Sequence, residues 1–348
     1  MGHPPNRIGL HWLIAAVGGA QMMSAPAVGS ELSKAAQSLG PGQSVRLQTN
    51  LTRSILDPGS GDVLQWSSSG AWDSVRREVR FIGKGAEFRF HQLTYDEASN
   101  QWALDRPDRM PPDLGDRFGH GYDHTTVNPT NGDSYFRPFD DKRIWRWDGS
   151  TWSTLPPLEG QTQSLGSISW FPGLGLTYVD NLQLSIQTGS GWTTLADPAD
   201  TGIHAVSEFN PASNTLIYGG GNVGTRMARL NADKTVADIA TPPFNLGAQA
   251  NEGSVLVSDP SGPFFIAWKK LSSLWTQYDV GKDRWSPLTV NATSGDAPAD
   301  GTPPLWSKGD GDSTIGISLS TYGVIMFVQK ADAHNSPSVW LYRHSAGR

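Results

Sequence analysis

The chain has no cysteine, few charged residues and almost no long apolar run. The lack of cysteine excludes disulfides, thiolate metal sites and cysteine nucleophiles. Charged residues make up only 17% of the 348 residues, the formal net charge is -6, and no run is rich in lysine or arginine. We therefore expect no nucleic-acid partner, because binding to phosphates requires a basic surface. Beyond the N-terminus, no segment approaches the roughly 20 apolar residues of a membrane span, so none is expected.

The N-terminus carries the one apolar run. Arg7 precedes the apolar residues 8–20, and Ala25-Pro26-Ala27 has the small-residue pattern of a cleavage site. This pattern predicts a signal peptide over residues 1–27, a linker over residues 28–43, and a secreted or periplasmic protein. The alternative interpretation is a disordered or weakly helical leader.

Glycine and proline are abundant, at 39 and 24 residues, and they divide the chain into short apolar segments. The stretch from 120 to 156 shows this best: segments 124–127, 134–139, 143–147 and 151–155 are separated by turn residues that include Asn131-Gly132 and Asp148-Gly149. Runs of four to six aromatic and β-branched residues between such turns are typical of antiparallel strands. The stretch therefore predicts a four-stranded meander.

The same pattern recurs along the chain, starting near residues 66, 164, 204, 252 and 313. Two markers repeat with it about 40 to 50 residues apart, or about two periods apart where one copy lacks the marker, which is the period of propeller blades. The first marker is a proline at the first turn, and the second is a tryptophan on the last strand. The prolines are Pro129, Pro172, Pro211 and Pro260, and the tryptophans are Trp102, Trp152, Trp192 and Trp285.

The sixth copy shows only three strands, while an isolated strand near residues 45–48 has no hairpin partner nearby. A ring of blades must join its two ends, and sharing one blade between both termini achieves this by ordinary strand pairing. The predicted fold is therefore all-β: a six-bladed β-propeller over residues 44–348, whose last blade is closed by an N-terminal strand.

The repeats resemble the kelch-type propellers of the galactose-oxidase-like superfamily. The resemblance rests on residues 70–73, 79–85 and 93–96 with Trp102, and it is repeated by Tyr278-Asp279 with Trp285. The chain departs from the family pattern in its glycine runs and carries Ala86 where related propellers often have histidine. The copper cofactor of galactose oxidase needs a tyrosine crosslinked to cysteine, so the resemblance does not extend to that oxidase chemistry, and we expect no cofactor.

The first strand of each propeller blade lines the central channel, so its polar and aromatic residues are the candidate ligand-binding groups. A tryptophan in the Pro-rich loop at 303–306 is a further candidate for surface binding. The alternative is that the channel groups bond to one another or to ordered water. The candidates are Asp73, His120, Asp123, His124, Trp170, His204, Glu208 and Trp306, and Trp72 lies on the same strand as Asp73.

No metal site is expected from these residues. On one strand, His120 and His124 would be about 13 Å apart, which is too far for a single ion. Asp310-Gly311-Asp312 begins like a calcium loop but lacks the closing glutamate, so a simple turn is favoured.

The sequence leaves three functions open. The first is an exported module that binds a carbohydrate or a protein. The second is a polysaccharide hydrolase or lyase that uses the channel histidines with Asp73, Asp123 or Glu208. The third is a structural component of a cell surface or particle.

Overall fold

In the computed structural model the described part of the chain forms six antiparallel four-stranded sheets and two short helices. The signal peptide predicted over 1–27, Trp306 and the turn at 310–312 lie outside the described residues. The structure describes residues 29–57, 61–84, 89–104, 110–112, 114, 119–139, 141–158, 166–180, 183–196, 201–222, 224, 226–247, 253–270, 272, 274–288, 313–330 and 336–345.

Five sheets, here called blades 1 to 5, are each built from four consecutive strands. Blade 1 contains β2 (Ala71–Asp73), β3 (Glu78–Lys84), β4 (Phe90–Asp96) and β5 (Gln101–Leu104). Blade 2 contains β6 (Thr125–Val127), β7 (Ser134–Phe136), β8 (Trp145–Trp147) and β9 (Trp152–Thr154). Blade 3 contains β10 (Ser167–Phe171), β11 (Gly175–Val179), β12 (Leu184–Thr188) and β13 (Gly191–Ala196). Blade 4 contains β14 (Val206–Asn210), β15 (Thr215–Gly219), β16 (Met227–Asn231) and β17 (Val236–Asp238). Blade 5 contains β18 (Ser254–Ser258), β19 (Phe264–Lys269), β20 (Trp275–Asp279) and β21 (Arg284–Pro287).

Blade 6 joins the two ends of the chain. It contains β22 (Thr314–Leu319), β23 (Val324–Gln329) and β24 (Ser338–Arg343), and its outer strand is β1 (Gln43–Arg46). The pairing of β1 with β24 is antiparallel and runs from Gln43 opposite Arg343 to Arg46 opposite Trp340. The predicted closure is confirmed, although the strand begins two residues earlier than the segment 45–48 that the sequence indicated.

The six blades form a closed ring. Each first strand packs against the first strands of both neighbouring blades, in the order β2, β6, β10, β14, β18, β22 and back to β2. A parallel bridge between Ser69 and Gly316 further joins blade 1 to blade 6. The chain is therefore a six-bladed β-propeller, as the sequence predicts.

Burial decreases from the channel outward, because each blade is packed between two others except at its outer edge. All six residues of β23 are buried, whereas the outer strands β9, β17 and β21 have exposed positions. Two of the repeated tryptophans tie this edge to the preceding blade: Trp192 Nε1 donates to the Pro156 carbonyl at 2.9 Å, and Trp285 Nε1 donates to the Ala240 carbonyl at 2.8 Å.

Two helices precede the ring, α1 (Glu31–Gln37) and α2 (Arg53–Leu56). Ser30 caps α1, because its hydroxyl oxygen accepts from the Ser33 amide at 3.0 Å. The buried face of α1 carries Leu32 and Ala36, which join the same hydrophobic core as blade 6 and blade 1. Within the described part of the chain, neither helix has the length and apolarity that a membrane crossing needs.

The channel has two distinct ends. At the end called here the upper face, the chain enters the first strand of each blade. At the other end, the lower face, short turns connect the first strand to the second. The four repeated prolines, Pro129, Pro172, Pro211 and Pro260, all lie in these lower-face turns, as their spacing indicates.

Candidate functional site

A half-open cavity of about 860 Å³ occupies the channel and its lower mouth. Five blades contribute to its wall, each through its first strand or first turn. Of the candidates predicted from the sequence, Asp123, Trp170 and Glu208 line it, together with Trp72. Nine hydroxyl side chains also line the cavity: Ser69, Ser74, Thr125, Thr126, Thr130, Ser169, Ser318, Ser320 and Thr321.

Asp123 is held inside the channel by hydrogen bonds from residues of blades 1 and 4. It lies just before β6 and is 3% exposed. Its Oδ1 accepts a short hydrogen bond from the Ser69 hydroxyl, and its Oδ2 accepts from the Ser207 amide at 2.7 Å. Burial raises the pKa of Asp123 to about 7, against the opposing effect of these two donors, which favour the ionised form.

Glu208 projects from β14 and is bonded to blade 5. Its Oε1 accepts from the Ser258 amide at 3.0 Å and from the Ser258 hydroxyl at 2.8 Å. Burial raises the pKa of Glu208 to about 8, the Ser258 donors lower it, and the negative charge of Asp123 raises it further. The described lining residues include no lysine, arginine or histidine, so these two acids share the cavity without a protein cation.

Aromatic side chains form the apolar part of the wall. Trp170 on β10 is partly exposed, and its ring stacks on Tyr135 of blade 2 with centroids 5.5 Å apart. On the other side of the mouth, Trp72 is fixed by a 3.0 Å hydrogen bond from Nε1 to the Thr321 hydroxyl of blade 6. Because each ring is held by a neighbouring blade, the orientation of both rings is fixed.

The histidines His120 and His204 lie at the upper end of the channel, in a cluster of rings. His120 stacks on Phe139 with centroids 4.5 Å apart, and His204 stacks on Tyr122 at 4.0 Å. Burial, with the nearby His204 and Lys84 charges, lowers the pKa of His120 to about 3. Burial also lowers the pKa of His204, although its 2.7 Å contact with Asn222 opposes this shift. Both rings are therefore neutral near pH 7.

Backbone strain is concentrated in the same cluster. Trp66, Tyr122 and His204 have φ values of 57°, 38° and 66°, in the left-handed region that residues with bulky side chains rarely adopt. The Trp66 ring packs edge-on against His120 at 4.1 Å, so all three strained residues contact one another through the cluster. This packing compensates for the backbone conformation.

Two further candidates, His124 and Asp73, are buried in the protein away from the cavity. His124 is 1% exposed, and burial together with the Arg137 charge lowers its pKa well below the ordinary value. Asp73 is fully buried and closes the first turn of blade 1, accepting from the Arg76 amide at 2.9 Å and from the Arg76 guanidinium at 3.0 Å. Neither side chain lines the cavity.

Metal ligands do not cluster in the described part of the chain. Among those residues, no group of three or more histidine, aspartate or glutamate side chains could hold an ion. The described lining residues of the cavity include two acids, and both are bound by serine donors.

The sequence did not reveal the hydroxyl groups of the site. Ser69 and Ser258, which bind the two acids, each come from the blade next to that of the acid, 54 and 50 residues away in sequence, and serine carries no repeat signal of its own. One signal was available: the first strand of each propeller blade lines the channel, so serine and threonine residues on or just before these strands are candidates.

Comparisons with known proteins give no functional assignment. No family model matches the sequence, and no curated protein matches it. Among solved structures, one of unknown function from Bacteroides thetaiotaomicron is similar over 85% of this chain and 75% of that chain, at 9% identity and TM-score 0.49. The calcium-binding protein regucalcin from Agrobacterium tumefaciens is similar over 83% and 95%, at 12% identity and TM-score 0.48. A protein from Lactobacillus plantarum is similar over 75% and 80%, at 14% identity and TM-score 0.44. These similarities carry no argument about the function of this chain.

Proposed function

We propose that this propeller is an exported, kelch-like carbohydrate-binding module whose ligand enters the cavity at the lower face. The observation that carries the proposal is the composition of one wall: tryptophan rings, hydroxyl groups from several blades and two acids around about 860 Å³. Sugars present apolar C–H faces and many hydroxyl groups, so they are bound by aromatic rings flanked by polar groups that fix orientation.

The cavity favours a small polar ligand over a flat protein surface. Its volume falls within the range of roughly 300–1,000 Å³ that is usual for small-molecule sites. Surfaces that bind proteins are often marked by a large exposed apolar patch. The two exposed large hydrophobic side chains in the described part of the chain, Val75 and Leu274, are on different blades and form no such patch.

The hydrogen bonds of Asp123 argue against a role for this acid as the base or nucleophile of a hydrolase. A catalytic base or nucleophile needs a carboxylate oxygen that is open to the substrate. Both oxygens of Asp123 accept hydrogen bonds from the protein, and the side chain is 3% exposed. The arrangement is that of an acid with a fixed structural and electrostatic role.

A glycan array tests the proposal directly, with wild-type protein and two tryptophan variants. Trp170→Ala removes the partly exposed ring of the cavity and should weaken glycan binding about tenfold or more, which is about 1.4 kcal/mol. Trp192→Ala is the matched control, because Trp192 is also partly exposed and belongs to the same blade but lies on its outer strand. Folding of each variant is checked by circular dichroism.

The array also defines how the proposal fails. If folded wild-type protein binds no glycan, the carbohydrate function is wrong. If Trp192→Ala weakens binding as much as Trp170→Ala, the ligand does not occupy the cavity.

A further inference from the structure

We propose that Glu208 is the proton-carrying acid of the cavity and that its Oε2 donates a hydrogen bond to an oxygen of an uncharged ligand. This inference rests on the proposed function, since it specifies the class of sugar that the cavity takes: neutral sugars, in preference to amino sugars or uronic acids. It also predicts that binding depends on pH.

The hydrogen bonds around Glu208 assign its two oxygens. Both donors of Ser258, the amide at 3.0 Å and the hydroxyl at 2.8 Å, point at Oε1. A carboxyl oxygen that accepts two hydrogen bonds is not the one that carries the proton. Glu208 lines the cavity, and among the described residues no donor or acceptor occupies Oε2. A proton on Glu208 therefore lies on Oε2 and faces the ligand.

Asp123 has the opposite environment. The Ser69 hydroxyl donates to Oδ1 and the Ser207 amide donates to Oδ2, so both oxygens act as acceptors. Donors on both oxygens stabilise the ionised form of a carboxyl group. When one proton remains on the pair, the geometry places it on Glu208 and leaves the charge on Asp123.

Repulsion between the two acids also favours a state in which one is protonated and the other is ionised. Two carboxylates that face one cavity, with no cation among its described lining residues, repel each other, so one of them keeps its proton to higher pH. The pKa values, raised to about 7 for Asp123 and to about 8 for Glu208, follow the same order.

The other charged or titratable groups on or near β14 and β18 interact with residues other than Glu208. Arg229, in the same row of blade 4 but two strands outward, acts on Tyr278 and Asp283. Asp259, next to Ser258, accepts from the Ser261 amide at 2.9 Å. His204, at the start of blade 4, faces Asn222 and Tyr122 at the upper end. The elements packed against Glu208 from blades 3 and 5 present Ser169, Trp170 and Ser258, which carry no charge.

The consequence for the ligand follows from this charge state. A neutral carboxylic acid donates a strong hydrogen bond to a sugar hydroxyl or ring oxygen, and the neighbouring Asp123 charge disfavours an anionic ligand. Above the pKa of Glu208 the donor becomes a second carboxylate, and an acceptor oxygen then meets repulsion. The affinity for an uncharged glycan should therefore fall as the pH rises through about 8.

The protonation state is measured without any ligand, which separates this inference from the carbohydrate proposal. The full chain is labelled with glutamate carrying ¹³C at the side-chain carboxyl, and the Glu208 signal is identified by its loss in Glu208→Gln. We expect that signal to titrate near pH 8. A midpoint near the ordinary pKa value of 4.5 overturns the inference, whatever the glycan array shows.

The pH dependence of glycan binding is the second arm. With a midpoint near 8, the protonated fraction of Glu208 and hence the affinity of wild-type protein for uncharged array glycans should fall about 25-fold between about pH 7.5 and about pH 9.5. Asp123 is already mostly ionised at the lower pH, so Glu208 accounts for the change. In Glu208→Gln, Oε1 still accepts from Ser258 and the amide nitrogen donates into the cavity at either pH.

Comparison with Glu208→Gln shows whether the pH dependence of glycan binding comes from Glu208. At about pH 9.5, Glu208→Gln should bind uncharged glycans more tightly than the wild type by about tenfold or more, because an amide does not ionise in this range. Equal loss of binding in both proteins at high pH contradicts the inference. Preferential binding of amino sugars that is strengthened at high pH contradicts it as well, since it would show that the cavity holds a carboxylate pair with a ligand cation.

Discussion

The closure of the ring by the N-terminal segment gives a prediction whose size follows from burial. Helix α1 and strand β1 together hold the start of the chain against blade 6: β1 pairs with β24, and Arg343 donates to the Ala36 carbonyl at 3.0 Å. Leu32 is the central apolar contact of α1, with no exposed surface. Leu32→Ala removes this contact and leaves the strand pairing itself in place.

The expected loss of stability is large for a residue outside the blades proper. Truncating a fully buried leucine to alanine costs about 2–5 kcal/mol, through lost burial and the cavity that remains. Leu274→Ala is the matched control, because Leu274 is 54% exposed on blade 5. The same truncation there should change the free energy of unfolding by less than about 0.5 kcal/mol.

Urea unfolding, followed by tryptophan fluorescence and by circular dichroism, measures both variants. For Leu32→Ala we expect a lower midpoint than for wild type, and for Leu274→Ala an unchanged one. If the two variants unfold at the same midpoint, the packing of α1 against blades 6 and 1 contributes nothing to stability, which contradicts this prediction.

Two further predictions concern buried charge. The pKa of Glu208 is raised in the folded state, so between about pH 4.5 and about pH 8 the folded protein holds a proton that the unfolded chain has released. The contribution of Glu208 to the free energy of unfolding should therefore fall as the pH rises through this range. Glu208→Gln should remove about 2–4 kcal/mol of that decline, measured by urea unfolding at about pH 5 and pH 8.5; an unchanged pH profile contradicts this. Arg80 is 2% exposed, and its guanidinium nitrogen Nη2 lies 3.1 Å from Glu78 Oε2 and 3.8 Å from Asp73 Oδ2. Arg80→Met should cost about 3–5 kcal/mol because it removes one partner of the buried Arg80–Glu78 ion pair, whereas Arg226→Met, at a more exposed pair, should cost less than about 1 kcal/mol. Equal losses in these two variants would contradict the second prediction.

Most of the fold could be predicted because local turn chemistry and blade period agree. Pro129, Pro172 and Pro211 mark lower-face turns since proline fixes φ and ends a strand. The blade period also revealed the isolated strand near residue 45, whose partner strand is more than 290 residues away in sequence. Strand ends were less predictable: β1 begins at Gln43, where the pairing with Arg343 sets its start.

The site could be predicted only in part. Asp123, Trp170 and Glu208 were recognised because they lie at or beside first strands, which must face the channel. The sequence could not show the position of each residue along the channel, so it grouped these three with His120 and His204. The structure places both histidines at the upper end of the channel. Nor could it show which oxygen of Glu208 is bonded, because that depends on Ser258 of the next blade.

The central claim is that the lower mouth of the channel binds a sugar, and tryptophan indole NMR tests it most directly. The protein is labelled with ¹⁵N in its indole groups and titrated with the glycan that gives the strongest array signal. We expect the signals of Trp72 and Trp170, which line the cavity, to shift, and that of Trp192 on the outer strand to stay in place. A shift of the Trp66 signal at the upper end of the channel, with Trp72 and Trp170 unchanged, would contradict the account.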